Sequence, residues 1–296
     1  MKSLIPTIDP KKEEERITDF LKTTLLKTGF KKIVLGLSGG IDSSTCLYLA
    51  SRAITSENIF VAHLYYFQPL DFARGKPRSS IIQRICSTLK IPVQNQYILS
   101  IKPIVEAFEK TLKWEVRSEK LDNEVRDGKK QISPPTSKIQ LHTSNISHQI
   151  QIRLGNIMAR VRMTMLFDLA KKHNALVCGT ENKTEHLLGY FTRFGDAASD
   201  IEPIQHLYKS QVFALAQDLK VPEEIIKAKP TAGLWSGQTD EGEFGFSYQE
   251  ADVVLYLYFE KKFPLEKIEK LGHKNAGKII NFALKNSFKH KTPYTL

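Results

Sequence analysis

The residues with the clearest chemical potential are the six from Ser38 to Ser43, which read Ser-Gly-Gly-Ile-Asp-Ser. Two adjacent glycines let the backbone turn tightly and approach an anion without obstruction by a Cβ atom. If a helix begins directly after them, its free N–H groups and the two serine hydroxyls can bind a phosphate. The carboxylate of Asp42 would repel that phosphate unless a cation lies between them, which points to Mg²⁺. The pattern is not a Walker A motif, because no Lys-Ser or Lys-Thr pair follows.

The flanking residues predict the elements that would position this turn. Ile33 to Leu37 is a short apolar run, typical of a strand buried on both faces. A helix with apolar residues at Leu47, Leu49 and Ala50 is expected to follow. A glycine turn with an ordinary helix cap is the simpler interpretation. The order of strand, turn and helix favours the phosphate interpretation, since open α/β sheets bind ligands at such turns.

Strands and helices alternate over much of the chain. The first helix is predicted over 10–28, with Ile17, Phe20, Leu21 and Leu25 on its apolar stripe and Gly29 as its end. Further strands are predicted at 59–66, 93–98 and 175–180, and further helices at 79–89, 103–112, 156–173, 210–219, 247–261, 265–271 and 276–288. The alternation predicts an α/β fold with a doubly wound, mostly parallel sheet and helices on both faces.

The segment 115–149 interrupts this alternation. It is polar, contains a Pro-Pro pair and has no sustained period of 2 or 3.6 residues. Loops of this length are uncommon inside compact domains, so we predict a mobile insertion. No internal repeat or linker is apparent, and 1–296 is therefore predicted to be a single domain.

Composition narrows the class of protein. With 41% hydrophobic residues, the chain has enough apolar surface to fold, which excludes a largely disordered protein. The formal net charge of +11 favours anionic partners such as nucleic acid, an acidic membrane surface or a phosphate-rich ligand. No apolar stretch approaches the ~18 residues that span a bilayer, and the N-terminus is typical of neither a signal nor a transit peptide. Three widely spaced cysteines predict buried, reduced thiols and a cytoplasmic protein.

The loop from Ser38 to Ser43 resembles the signature of the N-type ATP pyrophosphatases. Four further blocks resemble the NAD synthetases of that group: 156–163 (Asn-Ile-Met-Ala-Arg-Val-Arg-Met), 179–200, 230–241 and the pair His290-Lys291. The blocks occur in order from about Lys31 to the C-terminus, outside 115–149. The resemblance implies an adenine nucleotide alpha-hydrolase-like, Rossmann-like fold. It also implies ATP-dependent amidation of nicotinic acid adenine dinucleotide (deamido-NAD) with ammonia through an adenylated intermediate, giving NAD, AMP and pyrophosphate.

The resemblance also implies a set of site residues. ATP is expected to contact Gly36, Leu37, Ser38, Gly39, Gly40, Ile41, Asp42 and Ser43, together with Thr180, Lys209 and Thr231. Asp42 and Glu185 are expected to hold Mg²⁺, the expected cofactor. Deamido-NAD is expected to contact Arg160, Arg193, Asp200, His290 and Lys291. The expected catalytic residues are Asp42, Lys209 and Asp200, the last as a proton acceptor. Arg162 is better interpreted as part of a solvated helix face.

Two positions depart from the family pattern. Arg193 stands where Lys is expected, and the two are not equivalent at a site shaped for a compact ammonium group. Ala197-Ala198 stands where paired glycines are expected, which restricts the backbone. Both departures concern the local geometry of the site, not the reaction.

The nitrogen source and the partners complete the expectations. Only about one helix and one strand precede Ser38, too little for a glutaminase domain, so free ammonia or a separate glutaminase is expected. The resemblance implies a homodimer, while neither a membrane nor nucleic acid is an expected partner. Two alternatives stay open. A tRNA-modifying ATP pyrophosphatase would suit the +11 charge but usually needs paired or reactive cysteines, and a non-catalytic adenine-nucleotide sensor could share the loop.

Overall fold

The computed structural model describes residues 4–67, 70–71, 76–111, 144–234 and 238–295, and its centre is a four-stranded parallel sheet. The strands are β1 (Ile33–Gly36), β2 (Ile59–Tyr65), β5 (Gln96–Ser100) and β6 (Leu176–Cys178), and a separate antiparallel pair is formed by β3 (Leu70–Asp71) and β4 (Lys76–Pro77). The order in the sheet is β5-β2-β1-β6, with β1 parallel to both neighbours. The chain forms β2 and β5 on one side of β1 and then crosses over to form β6 on the other side. This order confirms the predicted doubly wound sheet.

Helices cover both faces of this sheet. One face carries α1 (Pro10–Thr28), α2 (Ile41–Ala53), α3 (Arg78–Thr88) and α7 (Lys209–Asp218), and the other carries α4 (102–111) and α5 (Ser144–His173). Neighbouring strand residues point to opposite faces, as in any pleated strand: Leu35 is buried with the first group and Val34 with the second. Both faces of β1 are therefore fully apolar, which explains its uninterrupted hydrophobic sequence.

Six further helices lie in the described part of the chain: α6 (Lys183–Leu188), α8 (Glu223–Ile226), α9 (Asp240–Phe244), α10 (Tyr248–Leu255), α11 (Leu265–Lys270) and α12 (Ala276–Asn286), with a π-helical turn at Tyr256–Glu260 and a 3₁₀ turn at Ser287–His290. All of them except α8 form a separate hydrophobic cluster. Phe244, Phe246 and Tyr248 lie in this cluster, whereas α8 packs on the sheet side through Ile225. The sequence predicted neither α8 nor α9, because helices of four or five residues carry too little periodicity to be recognised.

Several predicted boundaries are wrong. The strand predicted over 93–98 begins at Gln96, because 93–95 form a 3₁₀ turn in which Asn95 Nδ2 donates to the carbonyl oxygens of Glu57 and Ile59. The helix predicted from residue 156 begins at Ser144, so 144–149 are helical and do not belong to a loop. The rest of the insertion predicted over 115–149 lies outside the described residues.

The apolar stripe of α1 is displaced from its predicted position. Ile17, Leu21 and Leu25 are buried, but Phe20 is 45% exposed and Thr18 takes a place on the buried face. At 100° per residue, Leu21 and Leu25 lie 40° and 80° from Ile17, whereas Phe20 lies 60° to the other side. The helix ends where predicted, at Gly29, whose φ of 76° is left-handed.

The prediction of buried thiols is confirmed. Cys46, Cys86 and Cys178 are all buried and unpaired. Burial raises the pKa of the Cys86 thiol to about 11, so this group stays neutral at physiological pH. In the part of the chain that the structure describes, no helix combines the length and the apolar character needed to cross a membrane.

The corrected stripe of α1 gives a direct test by unfolding. Leu21→Ala should lower the free energy of unfolding by about 2–5 kcal/mol, because it leaves a cavity between α1 and the sheet. Phe20→Ala, one residue away on the exposed side, should change it by less than about 1 kcal/mol. Urea denaturation of both variants measures the difference, and equal losses would show that Phe20 is buried as the sequence predicted.

Candidate active site

The turn after β1 has the geometry of an anion-binding loop. The φ of Gly39 is 82°, and α2 begins two residues later with Gly40 as its N-cap and no side chain bonded to its first N–H groups. Those N–H groups are therefore available to a ligand, and the dipole of α2 favours a negative one. This confirms the predicted sequence of strand, turn and helix.

The two serines of this loop contact each other. Their hydroxyl oxygens lie 3.0 Å apart, and Ser43 Oγ also donates to the Gly40 carbonyl oxygen at 3.2 Å. Ser38 Oγ accepts from the Gly40 N–H at 3.2 Å. The hydroxyls thus fix the shape of the turn, a role that the sequence analysis did not assign to them.

Asp42 lies in the first turn of α2, and its carboxylate reaches two other elements. Oδ1 accepts from Asn182 Nδ2 at 3.0 Å, and Oδ2 accepts from Lys209 Nζ at 2.6 Å. The partners are 140 and 167 residues away in sequence. The contacts bring the loop from Ser38 to Ser43 to the beginnings of α6 and α7.

Glu185 is aimed at the same point by a capping box. Asn182 caps α6 by accepting from the Glu185 N–H at 3.0 Å, and the Asn182 N–H points back to Glu185 Oε2 at 3.5 Å. The other oxygen, Oε1, accepts from Lys209 Nζ at 3.0 Å and lies 3.3 Å from the Tyr248 hydroxyl oxygen. Burial raises the pKa of Glu185 to about 7, although the ammonium of Lys209 opposes that rise.

Lys209 joins the two carboxylates. Its residue is only 2% exposed, it opens α7, and its N–H donates to Thr184 Oγ1 at 2.9 Å. Burial alone would lower the pKa of its ammonium, but Asp42 and Glu185 outweigh burial and raise it. The group therefore remains charged, and its Nζ lies 4.8 Å from the centre of the Tyr248 ring.

The carboxylates of Asp42 and Glu185 fit a magnesium ion. Both lie within 3.0 Å of Lys209 Nζ, so the two carboxylates are close enough to each other to be ligands of one cation beside the ammonium group. Among the described residues, no group of three or more His, Cys, Asp or Glu side chains forms a complete metal site. Two carboxylates without further protein ligands suit Mg²⁺, which usually takes one or two carboxylates and completes its shell with phosphates and water.

Tyr248 and Asp240 connect this cluster to the motif at 230–241. The Tyr248 hydroxyl donates to Asp240 Oδ2 at 2.9 Å, and Asp240 Oδ1 accepts from the Ala232 N–H at 3.0 Å. The loop that carries Thr231 is thereby tied to Glu185 through one tyrosine. Asp240 lies within the motif at 230–241, whereas Tyr248 could not be found from the sequence because a lone tyrosine at a helix start has no distinctive pattern.

The predicted threonines lie at the edge of the cluster. Thr180 is half-buried and follows β6, and Thr231 is half-buried with its hydroxyl accepting from the Gly233 N–H at 3.1 Å. Thr180 follows the carboxyl end of β6, at the same edge of the sheet as the carboxyl end of β1 before Ser38. The loop of Thr231 reaches the cluster through the Ala232 N–H, which donates to Asp240. Their contact with ATP stays a prediction.

A second cluster collects three of the residues predicted to bind the dinucleotide acid. Arg160 Nε donates to the Arg193 carbonyl oxygen at 3.3 Å, and the Arg193 guanidinium lies 5.2 Å from the centre of the Phe288 ring. His290 Nε2 donates to the His186 carbonyl oxygen at 2.6 Å. Because His186 follows Glu185 directly, α6 connects this cluster to the first.

Lys289 is a residue of the second cluster that the sequence analysis missed. Its Nζ donates to the carbonyl oxygens of Gly189 and Phe191, at 2.7 and 2.9 Å. These bonds attach the 3₁₀ turn at Ser287–His290 to the segment 189–191 and place His290 beside it. The neighbouring Lys291, which was predicted to bind substrate, is exposed.

Asp200 has a backbone contact that the sequence did not predict. Its Oδ2 accepts from the Val177 N–H at 2.7 Å, on the outer edge of β6. The carboxylate thus supports the strand that leads to Thr180. Its predicted role as a proton acceptor is not tested by this contact and stays a prediction.

Arg160 and Arg162, the two arginines of the motif at 156–163, differ in burial in a way that was not predicted from the sequence. Arg160 is exposed, whereas Arg162 is half-buried and its Nε donates to the Leu64 carbonyl oxygen at 2.9 Å. The interpretation of Arg162 as part of a solvated face is wrong. Residues two apart on a helix point about 200° apart, so the choice between them depended on where the sheet lies.

The two positions that depart from the family pattern are accommodated locally. Ala198 donates its N–H to the Gly195 carbonyl oxygen at 3.1 Å, which closes a turn without a glycine. A Cβ atom at Gly195 would come within 3.0 Å of Ala159 on α5, so this glycine permits a close approach. The turn therefore keeps Arg193 next to α5.

The chain is similar to known proteins over most of its length. The family model described as NAD synthase matches residues 13–129 and 123–293. The chain is 39% identical to an NH(3)-dependent NAD(+) synthetase from Thermococcus kodakarensis over 260 residues, which cover 87% of this chain and 85% of that protein.

Two solved structures are similar over nearly the whole chain. The NH3-dependent NAD synthetase from Campylobacter jejuni has a TM-score of 0.70 and 30% identity, covering 98% of this chain and 100% of that one. The NMN synthetase from Francisella tularensis has a TM-score of 0.70 and 29% identity, covering 98% and 99%. The similarity thus extends over the sheet and over the helices that carry both clusters.

The buried position of Lys209 predicts a large loss of stability on its removal. Lys209→Met should lower the free energy of unfolding by about 3–5 kcal/mol, because it leaves Asp42 and Glu185 without their shared counter-charge. The matched control is Lys183→Met, whose partly exposed pair with Glu260 should contribute no more than about 1 kcal/mol. Urea denaturation measures both, and a Lys209→Met loss as small as that of the control would contradict the assigned contacts.

Glu202 predicts a pH dependence of stability. It accepts from Ser199 Oγ at 2.6 Å and from the Glu181 N–H at 3.1 Å, and burial raises its pKa to about 8. Between pH 4.5 and 8 the folded protein keeps a proton on Glu202 that the unfolded chain releases. The contribution of Glu202 to stability should therefore fall as pH rises through this range, by up to about 1.4 kcal/mol per pH unit.

The test compares the wild type with Glu202→Gln, which mimics the protonated acid. Urea denaturation between pH 5 and 8 should show that the variant loses less stability with rising pH than the wild type does. Parallel pH profiles would mean that Glu202 is ionised in the folded protein throughout this range.

Proposed function

The chain belongs to the NAD synthase family, and we propose that it amidates nicotinic acid adenine dinucleotide with ammonia at the expense of ATP. The carboxylate of the acid attacks the α-phosphate of ATP, which forms an acyl-adenylate and releases pyrophosphate. Ammonia then attacks the acyl carbon, AMP leaves, and an amide and one proton remain. The observation that carries this proposal is the convergence of Asp42, Glu185 and Lys209 beside the open N-terminus of α2.

The loop from Gly36 to Ser43 would hold the triphosphate. The first N–H groups of α2 are not capped by a side chain and can donate to phosphate oxygens. Ser38 and Ser43 brace the turn, so the donors keep their direction when a ligand arrives. Thr180, Thr231 and Lys209 complete the proposed ATP site.

Asp42 and Glu185 would hold Mg²⁺, whose charge would offset the phosphates and the charge that develops on the departing pyrophosphate. Asn182 keeps both carboxylates in place, since it donates to Asp42 and caps the helix that carries Glu185. Lys209 supplies a fixed positive charge beside the two carboxylates. Groups that need no rearrangement during the reaction stabilise a transition state most effectively.

The second cluster would bind the acid substrate. Arg160, Arg193 and Lys291 supply the positive charge that a dinucleotide pyrophosphate and a carboxylate require, and the ring of His290 would contact the substrate beside them. Lys289 is already committed to two backbone carbonyl groups, so it acts by placing His290. Asp200 is proposed to accept the proton that ammonia releases, while its second oxygen supports β6.

A second candidate substrate follows from one comparison. The Francisella tularensis NMN synthetase has the same TM-score, 0.70, as the Campylobacter jejuni NAD synthetase. The mononucleotide acid lacks the adenylate half of the dinucleotide but carries the same carboxylate. It could therefore undergo the same amidation at the same two clusters.

The remaining partners stay predictions. A homodimer, free ammonia or a separate glutaminase as the nitrogen source, and a cytoplasmic location were each expected from the sequence. Support for a dimer comes from Ile104 and Phe108, which lie four residues apart on α4 and are 45% and 49% exposed. Apolar side chains grouped in this way favour an interface.

The experiment that tests the function supplies ATP, Mg²⁺ and ammonium with either the dinucleotide acid or the mononucleotide acid. The dinucleotide acid should give NAD, AMP and pyrophosphate in equal amounts. A higher kcat/KM for the mononucleotide acid would make NMN the product instead. Release of neither AMP nor pyrophosphate with either acid would overturn the proposal in favour of a non-catalytic nucleotide sensor.

Asp42→Ala tests the catalytic cluster in the same assay. Pyrophosphate formation should fall at least about 1,000-fold, because the variant loses a metal ligand and the partner of Lys209. The matched control is Asp19→Ala, which removes an exposed carboxylate from α1 and should retain full activity. An active Asp42→Ala enzyme would show that the metal is held elsewhere.

A further inference from the structure

Arg162 lies beside the loop from Ser38 to Ser43. It donates to a carbonyl group of β2 that would otherwise pair with a neighbouring strand. In β2, the Ala62 carbonyl oxygen accepts from the Leu37 N–H on the β1 side, and the Tyr65 carbonyl oxygen accepts from the Ile101 N–H on the β5 side. Carbonyl groups alternate along a strand, so the Leu64 carbonyl faces β1. Because the chain leaves β1 to form the turn at Ser38, Arg162 Nε donates to Leu64 instead, at 2.9 Å.

The packing of α5 supports the same position. Leu166 lies over Gly36, at the end of β1, so closely that a Cβ atom on this glycine would be 3.2 Å from Leu166 Cδ1. Arg162 precedes Leu166 by one helical turn on the same side of α5. Its guanidinium therefore lies at the carboxyl ends of β1 and β2, next to the turn that begins at Ser38.

The guanidinium has no ion-pair partner in the described part of the chain. Its Nε donates to the Leu64 carbonyl oxygen, and no carboxylate of the described residues lies within 4.0 Å of the guanidinium. Burial lowers the pKa of Arg162, and Asp196 opposes that effect from a greater distance. A half-buried charge without a close counter-charge is costly to maintain, which an anionic ligand would relieve.

The arrangement of the two clusters indicates which anion Arg162 would bind. The loop lies at the end of β1. Arg193 and His290, proposed for the acid substrate, follow β6 on the side of β1 away from β2, and Arg160 on α5 points away from Arg162 toward Arg193. The nucleoside half of ATP would therefore lie on the β2 side of the loop, next to Arg162. The phosphate that joins the two halves of ATP is the α-phosphate, the one attacked by the carboxylate.

We propose that the guanidinium of Arg162 binds the α-phosphate of ATP and of the AMP that leaves. This inference rests on the proposed function for the identity of the nucleotide. The Nη groups of an arginine form a planar fork that matches two phosphate oxygens. Arg162 would thus stabilise negative charge on the phosphorus centre during both steps, while the loop binds the departing pyrophosphate.

The test compares two ligands that separate the α-phosphate from the other two. AMP and inorganic pyrophosphate are titrated with Mg²⁺ into the wild type, Arg162→Met and Arg162→Lys. Arg162→Met should weaken AMP binding at least about tenfold and leave pyrophosphate binding within about twofold. Arg162→Lys keeps the charge but not the fork, and its AMP affinity should lie between those of the wild type and Arg162→Met.

The controls address folding and net charge. Lys171→Gln removes an exposed charge from the same helix and should bind both ligands as the wild type does. If Arg162→Met fails to fold, Arg162→Lys decides, since it should still lose AMP affinity more than pyrophosphate affinity. Equal losses for the two ligands, a loss confined to pyrophosphate, or no loss would each overturn the proposal.

These titrations do not depend on turnover. A selective loss of AMP binding in a protein that amidates neither acid would uphold the role of Arg162 and reject the proposed function. Normal amidation by Arg162→Met, with unchanged AMP affinity, would do the reverse.

Discussion

A single buried ammonium group, that of Lys209, holds together the beginnings of three helices. Asp42 lies in the first turn of α2, Glu185 in the first turn of α6, and Lys209 opens α7. A lysine at the start of a helix opposes the helix dipole, and its burial adds a further cost. Both costs are offset only while the two carboxylates stay within hydrogen-bond distance. The contact therefore fixes the relative positions of the three helices and, with them, the loop from Ser38 to Ser43.

Neutral donors determine the direction of the charged groups. Asn182 donates to Asp42 and caps α6, so one side chain sets the spacing between the two proposed metal ligands. Tyr248 donates to Asp240 and lies beside Glu185, which ties the loop around Thr231 to the same centre. The candidate active site is thus a continuous hydrogen-bonded network in which each ionised group has a defined partner.

The second cluster is joined to the first through adjacent residues of α6. Glu185 faces Asp42 and Lys209, and His186 next to it accepts from His290 through its carbonyl group. The short helix therefore positions both clusters at once. A reaction between ATP and a second anionic substrate needs such proximity, because the reacting carboxylate and phosphate repel each other in water.

The sequence by itself determined the features that depend on near neighbours. The strand, glycine turn and helix around Ser38 follow from residues within a few positions of one another, and so does the capping pattern from Asn182 to Glu185. The parallel sheet followed from alternating apolar runs. What only the tertiary structure decided are contacts between distant segments: that Arg162 is turned inward and Arg160 outward, that Asp200 supports β6, and that Phe20 is exposed. The physical reason is that the period of a helix or strand defines which residues share a face, whereas the neighbouring elements decide which face is buried.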